Sequence, residues 1–113
     1  MPTDLRLKRL ADTFLREVSM LLLTDLEDPR LQGVTLTTVH LTKDLSLLRI
    51  YYVTTDRNKE KEALEGLKKA SGFIRRELSK RMSLRMVPKL DFFFDETDIL
   101  QEQTDKLFTK EIE

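Results

Sequence analysis

Leu67-Lys68-Lys69-Ala70-Ser71-Gly72-Phe73-Ile74-Arg75-Arg76-Glu77-Leu78 carries helical pattern on both sides of three small residues. Ala63, Leu64, Leu67 and Ala70 form an apolar stripe before them, and Ile74, Leu78 and Met82 resume one after them. Glycine inside a helix costs about 1 kcal/mol relative to alanine, so Ser71-Gly72 predicts a break or kink. The segment therefore reads as a helix over residues 58–70, a joint, and a second helix over residues 73–83. Asp56 or Asn58 supplies the first cap.

Upstream, Val34 to Leu41 and Leu47 to Thr54 are rich in β-branched and aromatic residues, with the polar Thr42-Lys43-Asp44-Leu45 between them. They read as an antiparallel hairpin. Before the hairpin, Leu7, Leu10, Ala11, Phe14, Val18, Leu21 and Leu22 recur at helical spacing, predicting a helix over residues 4–24 capped by Thr3 or Asp4. Asp28-Pro29-Arg30 interrupts any helix, because proline lacks the amide donor and restrains the residue before it. Downstream, Pro88 marks a boundary, and Leu90, Phe92 and Phe94 alternate with Asp91, Phe93 and Asp95 as a strand with one apolar face.

The resulting order is α-β-β-α-α-β, an α+β domain in which three helices cover a three-stranded sheet. Residues 1–95 form the domain. Residues 96–113 are an acidic tail of that same domain, where Leu100, Leu107, Phe108 and Ile112 allow a short last helix. A chain of 113 residues suits one domain. It contains no cysteine, which excludes disulfides and thiolate chemistry and fits a reducing compartment. Neither a signal peptide nor a run long enough to span a bilayer is legible, so a cytoplasmic protein without membrane attachment is expected.

Twenty basic and twenty acidic side chains cancel overall, but their placement is segregated. Residues 59–90 hold ten basic and four acidic groups, a net +6, while residues 91–113 hold two basic and eight acidic, a net −6. Such separation is the electrostatic footprint of a nucleic-acid binder. From Lys68 to Lys89 run Lys68, Lys69, Arg75, Arg76, Lys80, Arg81, Arg85 and Lys89, with Glu77 the only acid among them. Arg75, Arg76, Ser79, Lys80 and Ser83 share one helix stripe, opposite Ile74, Leu78 and Met82. Glu77, four residues before Arg81, is placed to pair with it.

The joint adds to this reading. Ala70, Ser71 and Gly72 permit close approach of a ligand to backbone. A helix beginning there aims free amides and a positive dipole end at the joint, which suits phosphate. Arg6 and Arg9, on the polar face of the first helix, are secondary candidates.

Catalytic chemistry finds no comparable support. His40 is the only histidine and lies in a strand pattern without a second histidine or cysteine to share a metal. Asp91, Asp95, Glu96 and Asp98 are better read as solvated carboxylates than as a metal cluster. No phosphate-binding glycine loop, nucleophile elbow or zinc-helix motif occurs. No cofactor, metal, small-molecule substrate or enzymatic activity is expected.

The order of elements, with helix-joint-helix between hairpin and last strand, resembles a type II KH domain. KH domains clamp nucleotides with a GXXG loop. Ala70-Ser71-Gly72 stands in that place, a variant similar to that of the ribosome-binding factor A family. Arg6-Leu7-Lys8-Arg9-Leu10-Ala11, Asp28-Pro29-Arg30-Leu31, Gly33-Val34-Thr35-Leu36-Thr37, Leu41-Thr42-Lys43-Asp44-Leu45 and Val87-Pro88-Lys89-Leu90-Asp91-Phe92-Phe93-Phe94-Asp95 extend the resemblance along nearly the whole chain. The resemblance implies a non-catalytic assembly factor. It would bind the 30S ribosomal subunit and 16S rRNA near the neck and decoding region, support late maturation, rRNA processing and cold adaptation, and leave before translation.

The site expected from these readings comprises Lys68, Lys69, Ala70, Ser71, Gly72, Arg75, Arg76, Lys80 and Arg81, with Arg6 and Arg9 beside it, on a monomer. The competing reading is a protein-interaction module whose basic face docks an acidic partner.

Overall fold

The structure, a computed structural model, describes residues 3–97. Helix α1 spans Asp4–Thr24. Thr3 caps it, its Oγ1 accepting from the Arg6 amide at 3.3 Å. Phe14, Val18 and Leu21 fall at i, i+4 and i+7 and bury one stripe of the helix.

Asp28-Pro29-Arg30-Leu31 then forms a single 3-10 turn over Pro29–Leu31. Proline suits the first helical position, where its missing amide costs no hydrogen bond. The Asp28 carboxylate accepts from the Arg30 amide at 2.9 Å, and from Arg30 Nε at 3.1 Å and Nη2 at 2.7 Å. The Arg30 side chain, followed by its backbone amide, holds the Asp28 carboxyl down at about 2. This clamp seats Leu31 in the core, against Gly66 of the second long helix. A Cβ built on Gly66 would lie 3.1 Å from Leu31 Cδ2 and 3.2 Å from Arg30 Cβ.

A carboxyl held below its ordinary value near 3.9 stabilises the folded state above that pH and loses the contribution as pH falls toward 2. We therefore expect wild type to lose thermal midpoint faster than Asp28→Asn between pH 5 and pH 2. Melting curves across that window check it, and parallel slopes would contradict the assignment.

Strands β1 (Val34–Leu41) and β2 (Leu47–Thr54) pair antiparallel. Their turn is closed by the Thr42 amide donating to Leu47 O at 3.0 Å. Inside it Asp44 Oδ1 accepts from Ser46 Oγ at 2.7 Å and Thr42 Oγ1 at 2.8 Å, which lowers the Asp44 carboxyl. Strand β3 (Lys89–Phe94) lies parallel to β2, giving the order β1-β2-β3. Leu48 opposes Leu90, Ile50 opposes Phe92 and Tyr52 opposes Phe94, so one apolar face meets the helices. A register shift between Leu36 and Thr38 frees Thr37 from the ladder. Its hydroxyl donates to Asp95 Oδ2 at 2.6 Å, tying β1 to the residue that follows β3.

Helix α2 spans Glu60–Met82 without interruption. The expected break at Ser71-Gly72 is therefore corrected: the helices over residues 58–70 and 73–83 are one hydrogen-bonded helix, and two long helices rather than three pack on the sheet among the described residues. The reason lies in the core. Leu67, Ile74 and Leu78 are all 0% exposed, and burying each stabilises by about 1.5–3 kcal/mol. One interior glycine costs only about 1 kcal/mol, so it cannot break a helix whose buried stripe continues in phase. The expected tail helix lies outside the described residues.

The core joins Phe14, Val18 and Leu21 of α1 to Leu67, Ile74 and Leu78 of α2, over Leu48, Ile50 and Tyr52 of β2. Tyr52 is 1% exposed, and its hydroxyl donates to Glu60 O at 3.3 Å.

Candidate nucleic-acid interface

Continuity of α2 changes the geometry of the basic segment. With about 100° per residue, Lys68, Lys69, Arg75, Arg76, Ser79 and Lys80 all lie within about 80° of Gly72. Leu67, Ile74 and Leu78, the buried residues, lie on the other side. Gly72 thus sits at the middle of a cationic stripe that faces away from the core. From Lys69 to Lys80 the stripe runs about 16 Å at 1.5 Å per residue.

The helix N-terminus expected at the joint is absent. Residues 73–76 are interior to α2, so their amides are engaged along the helix and offer no phosphate nest. What remains is side-chain charge around an uncovered backbone. Ala70 and Ser71 are half-buried, and Gly72 is exposed. Apart from its own turns of helix, no atom of the described residues lies within 4 Å of a Cβ built on Gly72, so no packed neighbour among them requires glycine there. Gly72→Ala is expected to stabilise the isolated protein by about 0.5–1 kcal/mol, raising the thermal midpoint by a few degrees. A lowered midpoint would show that α2 needs the glycine for its own fold.

The cations of the stripe are not equivalent. Among the described residues Lys68, Lys69 and Arg76 stand exposed. Lys80 approaches Glu77 at 3.7 Å, but its side chain remains 79% exposed. Arg75 donates from Nη2 to Val87 O at 3.0 Å. Its guanidinium keeps further N–H groups on the same side, since arginine carries five. Arg81 departs from expectation. It does not pair with Glu77; it turns toward α1, with Nη1 3.7 Å from Glu17 and Nη2 3.2 Å from Asp25. The wheel explains this, because Arg81 is about 180° from Gly72. We therefore assign it to holding α1 against α2. Arg6 and Arg9 are exposed on the first turns of α1, about 12–16 Å along the helix axis from Glu17.

The loop after α2 contributes what the sequence reading left out. A groove of about 420 Å³ lies between α2 and this loop, lined by Gly72, Arg75, Arg76 and Ser79 on one side and Arg85, Met86 and Val87 on the other. Among the described residues no carboxylate lines it. A second hollow of about 380 Å³, between the end of α1 and β1, includes Leu22, Leu26, Leu31, Glu27 and Asp28 and no cation. Only the first suits an anionic ligand. The outer face of the sheet is mixed: Tyr51 and Phe93 stack at 5.6 Å between centroids, with His40, Arg49 and Asp91 exposed nearby. Asp95 is engaged by Thr37 and Thr97, which lower its carboxyl. Among the described residues no three histidine, cysteine or carboxylate side chains converge on a metal position. No described helix is long and apolar enough to cross a membrane.

The sequence model of the family described as Ribosome-binding factor A matches residues 6–108. Ribosome-binding factor A of Desulfatibacillum aliphaticivorans is 43% identical over 93 residues, which cover 81% of this chain and 76% of that protein. The protein of the same name from Nitrosomonas eutropha is 40% identical over 99 residues, covering 86% and 85%. The crystal structure of ribosome-binding factor A from Thermus thermophilus superposes with a TM-score of 0.72 at 31% identity, covering 78% of this chain and 93% of that one. A homology model of the Thermus thermophilus protein, fitted into a cryo-EM map of its complex with the 30S subunit, has a TM-score of 0.66 at 31% identity, covering 77% and 92%.

Proposed function

Since this chain belongs to the ribosome-binding factor A family, we propose that it binds the small ribosomal subunit by laying the cationic stripe of α2 along 16S rRNA. On this reading it acts as a monomeric, cytoplasmic assembly factor in late maturation and 16S rRNA processing. It assigns no catalytic step to any residue. The observation that carries it is the position of Gly72: bare backbone, opposite the core, ringed by Lys68, Lys69, Arg75, Arg76 and Lys80. A phosphate chain can lie against such a helix without displacing any packed side chain. Lysine and arginine on both sides neutralise it as it approaches.

The mode is recognition of folded backbone rather than of a short single strand. An uninterrupted helix supplies no GXXG loop to clamp splayed nucleotides. Binding should accordingly follow shape and charge, with a steep salt dependence. Sedimentation of the full chain with purified small subunits tests this. Bound protein should fall as salt rises from 50 to 200 mM, and nuclease digestion of the rRNA should release it. Retention after digestion would favour instead a protein partner for the basic face. Gly72→Ala adds a second test, because the variant should bind less tightly while melting at a higher temperature.

A further inference from the structure

We propose that the loop of residues 83–88 is the second wall of the rRNA site, with Arg85 holding a phosphate and Met86 packing against the ribose or base of the same nucleotide. This rests on the reading that α2 binds rRNA.

The loop is built by the helix it faces. Ser83 ends α2 in the left-handed conformation, φ 54°, and its amide donates to Ser79 O. The Leu84 amide also donates to Ser79 O at 3.0 Å, and Ser79 Oγ donates to Leu84 O at 2.9 Å. At the far end Arg75 holds Val87 O at 3.0 Å, Pro88 is buried, and the Lys89 amide donates to Ser46 O at 2.9 Å. Both ends are thus fixed, and the two residues between them face solvent.

Those two residues are a cation and a large apolar side chain. Met86 is 86% exposed, the most exposed large hydrophobic among the described residues. A single exposed apolar residue is ordinary on a protein surface. Met86 differs in standing on a clamped loop at the rim of the 420 Å³ groove. The groove has guanidinium groups on both walls, Arg75 and Arg76 beside exposed Gly72 on α2 and Arg85 on the loop. An anion alone would not need the methionine, and an apolar segment would not need three arginines. A nucleotide carries both parts: a phosphate for the arginines and a flat, polarisable base for the thioether, which packs well against aromatic rings. A groove whose described lining carries three arginines and no carboxylate is matched in charge to polyanionic RNA.

The test uses the full chain and purified small subunits, with binding measured across a salt series. Arg85→Gln should reduce the slope of log affinity against log salt by about one, the signature of one lost phosphate contact. Met86→Ser should weaken binding roughly two- to tenfold, the range of a sulfur–aromatic contact, at unchanged slope. Both side chains are exposed, so neither variant should shift the thermal midpoint. A photoreactive methionine analogue at position 86 should cross-link to 16S rRNA. If Arg76→Glu with Lys80→Glu abolishes binding while Arg85→Gln and Met86→Ser bind as wild type, the loop is not part of the site and the α2 reading stands. If the Arg76→Glu, Lys80→Glu protein binds normally, the α2 reading falls and this inference with it. Cross-linking to a ribosomal protein instead of rRNA would also overturn the inference.

Discussion

Reversing two charges on α2, Arg76→Glu with Lys80→Glu, is expected to weaken binding to the small ribosomal subunit by roughly a hundredfold or more at fixed salt. Each wild-type cation that neutralises a phosphate contributes about 0.9 to the slope of log affinity against log salt, so the variant's slope should be shallower by nearly two. Reversal also sets carboxylates against the phosphates, which takes the loss beyond simple removal. The fold should scarcely notice. Arg76 is exposed, and the Lys80 side chain is 79% exposed and lies 3.7 Å from Glu77. An exposed pair of that kind is worth about 0–1 kcal/mol, and a carboxylate in the last turn of a helix costs about 0.3–1 kcal/mol against the dipole. A large loss of binding with a thermal midpoint within a few degrees of wild type is the expected combination. Cosedimentation that survives unchanged would remove α2 from the site. Arg81→Gln is the internal contrast: it loosens α1 from α2 through Glu17 and Asp25 and should leave the salt slope untouched.

That contrast shows what the sequence could and could not reveal. The boundaries of α1, β1 and β2 were legible because each is marked locally: an apolar stripe behind a Thr3 cap, and two β-branched runs around a polar turn. The break at Ser71-Gly72 was misjudged by weighing one glycine against its neighbours alone. The opposing signal was present. Ala63, Leu67, Ala70, Ile74, Leu78 and Met82 keep one helical phase straight through the small residues, which two helices meeting at an angle have no reason to do. The partner of Arg81 was out of reach, because Glu17 and Asp25 meet it only through the packing of α1 on α2. Spacing favoured Glu77, four residues away, which faces Lys80 instead. The groove was hidden for a similar reason. Its second wall depends on Ser83 adopting a left-handed backbone and on Arg75 reaching Val87, and neither leaves a pattern in composition or period.

The correction to α2 also bears on how the site is held. A hinge at Ser71-Gly72 would let the Lys68–Lys69 and Arg75–Arg76 pairs move independently. One continuous helix carries both pairs on the same hydrogen-bonded segment, so on the proposed reading less ordering is left to be done on binding. Rigidity of that axis comes from the buried stripe beneath it, and the site should therefore be sensitive to changes in the core that touch no RNA.

Phe14→Ala provides the measure of that dependence. Phe14 is 1% exposed on α1 and belongs to the cluster that includes Leu67, Ile74 and Leu78 of α2. Truncating a buried phenylalanine to alanine removes its transfer free energy and leaves a cavity, for a loss of about 3–5 kcal/mol. Domains of this size hold about 5–15 kcal/mol in all, so the variant keeps only part of its stability. A loss of that size lowers the thermal midpoint by more than about 12 °C at 4–8 °C per kcal/mol. In urea the midpoint should fall while the slope m is unchanged, since the surface exposed on unfolding is nearly the same. Binding should respond differently from the charge reversal. At a temperature where the variant is still folded, its salt slope should equal that of wild type, because every stripe cation is intact. Above its lowered midpoint, binding should vanish together with the helical signal. A midpoint within about 3 °C of wild type would show that α1 contributes little to the core, and the rigid-stripe account would have to be given up.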